Sequence, residues 1–531
     1  MPRNIWSQSW FYIVIVGLFA ATPWLIGASI KPADWDQLPT FVMAAGDTPV
    51  YFRYIDEGRR GGPLMIDGMT TEDHPPVLWQ PVWWVLGQLA NVFGLSSPNA
   101  FAVGRVLGAV LLAWTISWAA RRLYQDTHTQ SVARWLGFFG AGLGGLLFFV
   151  VGPQVLSETR IYDLWVSEGY GWMSALASPH FLVVSSGLIF SFIGIEYQGG
   201  RAVRWSVGPA LALVTSIHPF HAPTLFIAWI LLSALEFIRR TPNLKEKIKR
   251  RCLTAVWVAP SYLYYVMTYA EPIVRERAVQ NINLTRGWPL ILGIAPLLVV
   301  ALVTMIRKRS TISWPIVTWT VAILVMVFAP LDFQRRLFEP PAVLLGLLIA
   351  PQVASWFRGT SWTFLGAAGL VAVMLLSPIA VFGKQLHQFF TDRATITSTL
   401  SYIQPTMRDM ISIIRRDGGP KPVVLGGQMS GLLVGSHHPI RPYYAHGVET
   451  IGALQKKETV FAFYRDWTTD EQLRFVRREN ICFILLTPYE RNYGAAFPGA
   501  GWSGLQLVYR RDDHELYRTG YCDPAGVGIV N

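Results

Sequence analysis

The chain has few charged residues and very little cysteine. Charged residues make up 15% of its 531 residues and hydrophobic residues 52%, a composition that excludes an ordinary soluble protein. The three cysteines, Cys252, Cys482 and Cys522, have no CxxC spacing, which argues against a cysteine-based zinc site or a disulfide framework. Cys482 and Cys522 can pair only in an oxidising space, and free buried thiols are the simpler interpretation. The sequence also has no low-complexity segment and no repeat of fixed period.

The net charge of +12 does not indicate a nucleic-acid partner. Binding to nucleic acid requires a basic face on a soluble domain. Here Lys and Arg fall largely in short stretches between apolar runs, where positive charge orients membrane helices and contacts anionic lipid. We therefore expect membrane lipid, and no nucleic acid, among the partners of the chain.

Eleven apolar runs are long enough to cross a hydrocarbon core of about 30 Å. The first has Arg3 before it but no convincing small-residue cleavage site, so we interpret it as a retained anchor rather than a signal peptide. The fifth is short and ends at His218-Pro219, and merging it with the sixth is the main alternative count. The runs lie near residues 9–30, 101–120, 135–152, 180–197, 204–217, 221–238, 253–270, 288–306, 312–330, 337–356 and 362–382.

Basic residues are concentrated in every second loop between these runs. Short cytoplasmic loops carry such an excess, so the N-terminus is expected in the cytoplasm. An odd number of spans then places the C-terminus outside, in a multi-pass protein of the inner (plasma) membrane. The basic loops contain Arg121, Arg122 and Arg134; Arg201 and Arg204; the run 239–251; Arg307, Lys308 and Arg309; and Arg358.

Two hydrophilic regions, both on the predicted outer side, are large enough to fold: a first loop near 31–100 and a tail from about 385. In the loop, PPVLWQPVWWVLGQLANVFGL is apolar and rich in Trp, which is typical of a helix lying in the membrane interface. In the tail we predict helices near 399–417 and 468–478 and the strands PVVLGG, ICFILL, LQLVYRR and HELYRTG. The expected fold class is a polytopic α-helical membrane protein, with a bundle at 1–384 and an extracytoplasmic α/β domain at 385–531.

Seven short segments carry a family resemblance: AGDTPVYFRYIDEGRRGG, TTEDHPP, FAVGRVLGAV, SPHF, HPFH, DFQRRLFEPP and TPYERNYG. They resemble the GT-C superfamily of membrane glycosyltransferases, which includes protein O-mannosyltransferases and aminoarabinose transferases that modify lipid A. The resemblance implies a helical bundle, an acidic catalytic residue in the first outer loop, and a polyprenyl-phosphate sugar as donor. It also implies a glycan, lipid or protein as acceptor, and the chain looks like a bacterial branch in which the fold carries over better than the substrate.

Asp47 is the residue that we expect to act as the base. Transfer to a hydroxyl needs a base near the nucleophile, and one carboxylate suffices for inversion because the phosphate carrier leaves without a strong acid. Asp47 precedes a short predicted helix, so the alternative is that it merely caps that helix. Asp34 and Asp36 form a DxD pair that could hold a metal, although solvated charge is the simpler interpretation. No cofactor is expected, and a divalent metal is possible but not indicated.

Other polar residues are candidates for binding substrate. Arg335 and Arg336 fall in a short predicted outer turn, where a guanidinium matches the phosphate of a lipid donor; the alternative is that they are interfacial anchors. The remaining candidates are Asp36, the cluster Glu72, Asp73 and His74, which turn chemistry explains equally well, and His180 and His218, which fall with His221 at predicted outer helix ends. For Glu490 and Arg491 we prefer a structural role.

The sequence therefore predicts a membrane glycosyltransferase that uses a lipid-linked hexose or pentose donor on the outer face of the membrane. A transporter or flippase is the main alternative, because polar groups within membrane helices can line a path. Such proteins usually show similarity between their halves, and none is visible here. A catalytically inactive scaffold of the same fold also stays open.

Overall fold

The computed structural model describes residues 9–154, 158–197, 201–307, 312–393, 400–494 and 504–521. Arg3, Lys308, Arg309 and Cys522, which the sequence interpretation used, lie outside these residues. The chain divides into two compact units, each described by itself below. The bundle unit comprises Met1–Pro23, Val103–Met267 and Ile282–Gln385, and the loop–tail unit comprises Trp24–Ala102, Thr268–Asn281 and Leu386–Asn531. The first predicted loop and the tail thus fall in one unit, and the predicted domain boundary near residue 384 stays a prediction.

Seven helices in the described chain are long and apolar enough to cross a membrane. They are Ser9–Ile30, Ser97–Leu123, Pro179–Glu196, His221–Ile238, Gly287–Arg307, Gln334–Phe357 (the 3₁₀ helix Gln334–Leu337 followed by the α-helix Pro341–Phe357) and Ser361–Asp392.

The other predicted spans are shorter or interrupted in the structure. Thr127–Phe139 and Gly144–Val151 form a pair bent by 56°, and Ala202–Ile217 and Trp314–Met326 are shorter apolar helices. The predicted fifth and sixth runs are therefore separate helices, and the total of eleven spans stays a prediction. The remaining helical segments of the bundle unit are Tyr162–Trp165, Ser167–Gly169, Gly171–Ala177, Leu244–Ala255, Val256–Val258 and Ala259–Thr268.

The break in the bent pair is stabilised by a buried carboxylate. Where the helix is interrupted, backbone N–H groups lose their helical acceptors and must find others. Asp163 Oδ2 accepts hydrogen bonds from the N–H groups of Gly142 at 2.8 Å and Gly144 at 3.1 Å. The Ser377 hydroxyl donates to the same oxygen at 2.6 Å. Asp163 is completely buried and has this structural role.

In the loop–tail unit, two helices of the first loop pack closely through glycine. Asp47–Arg60 contains Gly58, and Pro81–Phe93 contains Gly87. A Cβ at Gly58 would lie 2.9 Å from the Trp83 carbonyl oxygen, and one at Gly87 would lie 2.6 Å from the Gly58 carbonyl carbon. Both positions therefore require glycine for the helices to approach this closely. The second helix is the predicted Trp-rich one.

The tail contains a five-stranded mixed sheet, which confirms its predicted α/β character. The strands of this sheet are β5 (Val423–Leu425), β6 (Arg441–Pro442), β7 (Phe483–Leu486), β8 (Leu505–Arg511) and β9 (His514–Thr519). Their order across the sheet is β6-β5-β7-β9-β8, with β5 parallel to β6 and β7 and with β9 antiparallel to β7 and β8.

Shorter elements complete the loop–tail unit. Two antiparallel ribbons form, one from β1 (Asp36–Gln37) and β4 (Tyr402–Ile403), the other from β2 (Leu64–Met65) and β3 (Leu78–Trp79). The first ribbon joins the first loop to the start of the tail by backbone hydrogen bonds. The other helices are Pro272–Gln280, Pro405–Asp417, Gln428–Gly435, Ala453–Arg465, Thr469–Arg478 and Pro488–Arg491.

Candidate active site

Asp47 is the first residue of the helix Asp47–Arg60, and its carboxylate binds a histidine of the tail. Gly46 occupies the N-cap position and Asp47 is the first helical residue, while the alternative that the Asp47 side chain helps to cap the helix stays open. Asp47 Oδ1 accepts a hydrogen bond of 2.9 Å from His446 Nε2, and 46% of the Asp47 side chain is exposed. An acid in the first turn is also stabilised by the helix dipole. The carboxylate is thus oriented and still accessible to solvent.

The backbone around His446 determines which ring nitrogen carries the proton. The N–H groups of Val448 and Glu449 both donate to Nδ1 at 3.2 Å, so Nδ1 is unprotonated and the proton lies on Nε2, facing Asp47. Burial acts to lower the pKa of His446, but the hydrogen bond to Asp47 and its charge raise the pKa above its ordinary value overall. The two N–H donors oppose protonation of Nδ1. His446 therefore acts as a neutral, fixed donor to the Asp47 carboxylate.

A buried ionic network lies directly behind this pair. Arg277 forms an ion pair with Glu449, and the Tyr54 hydroxyl donates to Glu449 at 3.0 Å. Burial raises the pKa of Asp67, and the charge of Glu449 raises it further. Burial also acts to raise the pKa of Glu449, but the charge of Arg277, together with hydrogen bonds from Asp67 and Tyr54, outweighs it and lowers the pKa. Asp67 therefore retains a proton more readily than Glu449 does.

Glu72 and Asp73 are neutralised by cations of the tail. Lys456 Nζ lies 2.6 Å from Glu72, while Lys421 Nζ and Arg441 Nη1 each lie 2.7 Å from Asp73. Burial acts to raise the pKa of Glu72, but Lys456 outweighs it and lowers the pKa; hydrogen bonds from Lys421 and Arg441 lower the pKa of Asp73. These contacts favour a role in fastening the first loop to the sheet domain.

His74 is held in one tautomer by the backbone. Its Nε2 accepts from the Asp67 N–H at 3.0 Å, and its Nδ1 therefore donates to the Pro75 carbonyl at 2.8 Å. Burial lowers the pKa of His74, which keeps the ring neutral. His74 thus connects its turn to the buried Asp67.

Asp36 lies beside basic cavities of the loop–tail unit rather than in an acidic pair suited to a metal. Its carboxylate lies 3.7 Å from Arg408. It lines one cavity of about 810 Å³ and another of about 710 Å³. The lining cations of the second cavity are Lys31, Arg59, Arg60 and Arg415. This charge favours an anionic group beside Asp36, and it disfavours a divalent cation at the DxD pair.

In the bundle unit, the predicted histidines converge as expected, together with a carboxylate. The rings of His180 and His218 have centroids 5.3 Å apart. Glu339 Oε2 accepts hydrogen bonds from His218 Nδ1 at 3.2 Å and His221 Nε2 at 2.9 Å. Sequence analysis missed Glu339, although it lies in the motif DFQRRLFEPP at the start of a span, where a carboxylate is costly without a partner.

Arg335 and Arg336 belong to the same unit and are half-buried. Arg336 Nη1 forms an ion pair of 2.8 Å with Glu168, which is 4% exposed. The Arg335 backbone N–H donates to the Asn283 carbonyl at 2.8 Å, which fixes the turn that carries both arginines. The Arg336 guanidinium is therefore held in place by protein rather than extended freely into an interface.

Glu490 has the structural role that the sequence favoured. It is completely buried, forms a capping box with Thr487, and accepts a hydrogen bond of 2.7 Å from the Gly427 N–H. Arg491 donates to the Asp513 carbonyl and pairs with Glu515. Glu490 and Arg491, both in the segment TPYERNYG, therefore stabilise the sheet domain.

Comparisons with known proteins reveal the fold through structure rather than sequence. No protein-family model matches the chain, and no curated protein sequence matches it. Among solved structures, the oligosaccharyltransferase of Archaeoglobus fulgidus tethered with an acceptor peptide is similar, with a TM-score of 0.52 and 11% identity, over 90% of this chain and 70% of that one. ArnT from Cupriavidus metallidurans bound to undecaprenyl phosphate has a TM-score of 0.52 and 14% identity, over 95% of this chain and 97% of that one.

The chain has a GT-C-like fold. The predicted fold class is therefore confirmed: the chain is a polytopic α-helical protein with a GT-C-like fold and an added α/β domain. Identities of 11% and 14% establish the GT-C-like fold alone. The orientation of the termini and the roles of the site residues stay predictions.

Proposed function

We propose that this protein is a membrane glycosyltransferase that moves a sugar from a polyprenyl-phosphate carrier to a hydroxyl acceptor, with Asp47 as the base. One observation carries the proposal: in a GT-C-like fold, the acid picked out by the sequence starts a helix, is half-exposed, and is held by His446 at 2.9 Å. The similarity to an oligosaccharyltransferase and to ArnT bound to undecaprenyl phosphate supports the reaction class and a polyprenyl carrier.

The reaction is a single inverting displacement. The acceptor hydroxyl gives its proton to the Asp47 carboxylate as its oxygen attacks the anomeric carbon. The bond from that carbon to the phosphate oxygen breaks, and the carrier leaves as polyprenyl phosphate with the electron pair. A positioned carboxylate contributes about 10²–10⁴-fold to such a step. His446 holds the Asp47 carboxylate in a fixed orientation for this role.

The donor phosphate is assigned to Arg335 and Arg336. A guanidinium binds phosphate oxygens through two parallel N–H groups, and the ion pair with Glu168 orients the Arg336 side chain before the donor arrives. His180 and His218, which lie near this arginine in the bundle unit, are further donor-binding candidates. Asp36 is the candidate for contact with an acceptor, because it lines two cavities.

The proposed membrane is the inner (plasma) membrane, with the loop that contains Asp47 on its outer face. This assignment rests on the basic residues between the spans. The alternatives of a flippase and of an inactive scaffold make different predictions for chemistry, because neither forms a glycosidic bond.

The test is incubation of the purified full chain with radiolabelled polyprenyl-phosphate sugars and membrane extract, followed by identification of the labelled product. A glycosyltransferase transfers label to a new acceptor and releases polyprenyl phosphate. A flippase moves labelled donor across a vesicle membrane without consuming it, and an inactive scaffold does neither. If a folded preparation consumes none of the hexose or pentose donors, the proposal is contradicted.

A further inference from the structure

A buried cluster of two histidines and one glutamate lies at one end of the bundle-unit helices. His218 follows the helix Ala202–Ile217, His221 begins the helix His221–Ile238, and Glu339 precedes the helix Pro341–Phe357. The exposed fractions of His218, His221 and Glu339 are 8%, 2% and 1%. Side chains of this kind are expensive inside a membrane protein unless they pair or bind an ion.

The spacing of the three ligand atoms matches a metal site. His218 Nδ1, His221 Nε2 and one carboxylate oxygen of Glu339 all lie within 4.8 Å of one another. The two nitrogens lie 3.2 Å and 2.9 Å from Glu339 Oε2. Bonds of about 2.0–2.1 Å to a tetrahedral ion place neighbouring ligand atoms roughly 3.3 Å apart. The two Glu339 contacts therefore lie within a few tenths of an ångström of this spacing, and the two histidine nitrogens lie no more than 4.8 Å apart.

A second layer of contacts fixes the ligands. The Ser185 hydroxyl donates to Glu339 Oε1 at 2.9 Å, which leaves Oε2 turned towards the histidines. His218 and His221 belong to one turn, in which the His221 N–H approaches the His218 carbonyl at 3.4 Å. Contacts of this kind orient ligands and are typical of metal centres. The same criterion finds no other group of three such side chains among the residues that the structure describes.

We propose that His218, His221 and Glu339 bind one divalent transition-metal ion of the zinc class. Two imidazoles and one carboxylate favour zinc, cobalt or iron over magnesium and calcium, which prefer oxygen ligands alone. Three protein ligands leave a fourth position for water or another oxygen. The site shares His218 with the donor-binding candidates but includes neither Asp47 nor the DxD pair, and its test measures bound metal rather than sugar transfer.

The experiment measures metal directly rather than activity. Full-length protein in detergent is stripped with a chelator, equilibrated with zinc or cobalt, and passed through a desalting column before elemental analysis. His221→Ala and Glu339→Gln each remove one ligand, while His387→Ala, an exposed histidine of the helix Ser361–Asp392, is the matched control. Cobalt also reports the site through its visible absorption, which intensifies in four-coordinate geometry.

The wild type and His387→Ala are expected to retain one ion per chain and to gain thermal stability from it. Loss of a hydrogen bond that orients a metal ligand lowers metal affinity by about 10–100-fold. Loss of a ligand itself is therefore expected to lower metal affinity by about 100-fold or more. If wild type retains no ion, or if both ligand variants bind as tightly as wild type, the cluster is a hydrogen-bonded triad and the proposal fails. The wild-type result decides even if a variant does not fold.

Discussion

At the scale of single residues, three features set the position of the Asp47 carboxylate. It is half-exposed, it starts a helix, and it accepts a hydrogen bond from His446. The helix dipole and the His446 donor both favour negative charge at this place. The side chain is therefore held in one orientation and is accessible to an acceptor hydroxyl.

His446 is a positioning residue for this base. His446→Ala removes a hydrogen bond to a charged group, worth about 1.5–3 kcal/mol, and is expected to lower kcat by roughly one to two decades with little change in the KM for donor. His446→Gln, which keeps an N–H donor, is expected to restore part of kcat, whereas a merely structural role would not be rescued in this way. An unaltered kcat in His446→Ala would contradict this role.

Arg335 and Arg336 are predicted to bind the donor phosphate. Arg335→Ala or Arg336→Ala is expected to weaken donor binding by roughly one to two decades, because a charge-assisted hydrogen bond contributes about 1.5–3 kcal/mol. The measurement is equilibrium binding of a labelled polyprenyl phosphate to each variant.

Glu168 supplies the control for Arg336, because Arg336→Ala also leaves a buried carboxylate without its ion pair. Glu168→Gln removes the same ion pair but retains the guanidinium. If Glu168→Gln weakens donor binding as much as Arg336→Ala, the loss comes from the disturbed turn rather than from a phosphate contact. Unchanged affinity in both arginine variants would leave these residues as interfacial anchors.

The sequence identified Asp47 but not its partners. Asp47 lies in a motif that resembles GT-C enzymes, whereas His446 follows 399 residues later in a segment without a recognisable motif. Glu449 and Arg277 are also remote from the loop in sequence, and only the fold brings them beside Asp67 and Tyr54. Spacing along a chain cannot reveal an ion-pair network of this kind, because its members share no local element.

At the scale of elements, the tail was predicted well where local signals are strong. The strands β5, β7, β8 and β9 all lie within predicted segments, because each combines β-branched or aromatic residues with turns at its ends. β6 was missed, because it has only two residues and one of them is Pro442. The bend at 140–143 was missed as well, since the carboxylate that stabilises it, Asp163, is remote in sequence.

The helix Thr469–Arg478 provides a test of one such local signal. Thr468 is its N-cap and forms a capping box with Glu471, as the segment TTDEQ predicted. Thr468→Ala is expected to destabilise the helix by about 1 kcal/mol, because an N–H group of the first turn loses its acceptor. Hydrogen exchange of the helix amides in the full chain measures this loss, and Thr469→Ala is the control one residue along. Equal exchange in Thr468→Ala and wild type would show that the cap does not stabilise the helix.

At the scale of the whole molecule, the GT-C-like fold was predictable but the number of spans was not settled. Seven helices meet the criteria of length and hydropathy in the described chain, and the other predicted spans are bent, short or broken. Hydropathy detects apolar composition, but it does not detect where a helix is interrupted by glycine or proline. Orientation, in contrast, depends on charge and can be tested independently of the count.

The orientation prediction is that the tail lies outside the cytoplasm. Enzyme reporters fused after residue 400 are expected to be active only outside, and reporters in the loop 239–252 only inside, because Lys and Arg are concentrated in that loop. Protease protection in oriented vesicles gives a second measurement without fusion. A cytoplasmic tail would overturn the predicted topology.

The most direct test of the whole account is the turnover of Asp47→Asn, measured together with its donor affinity and melting temperature on one preparation. The substitution keeps the shape of the side chain and its hydrogen bond from His446 but removes the basic carboxylate. We expect turnover to fall by about a hundredfold or more, with donor affinity and melting temperature nearly unchanged. Transfer at the wild-type rate by folded Asp47→Asn would contradict the assignment of Asp47 as the base.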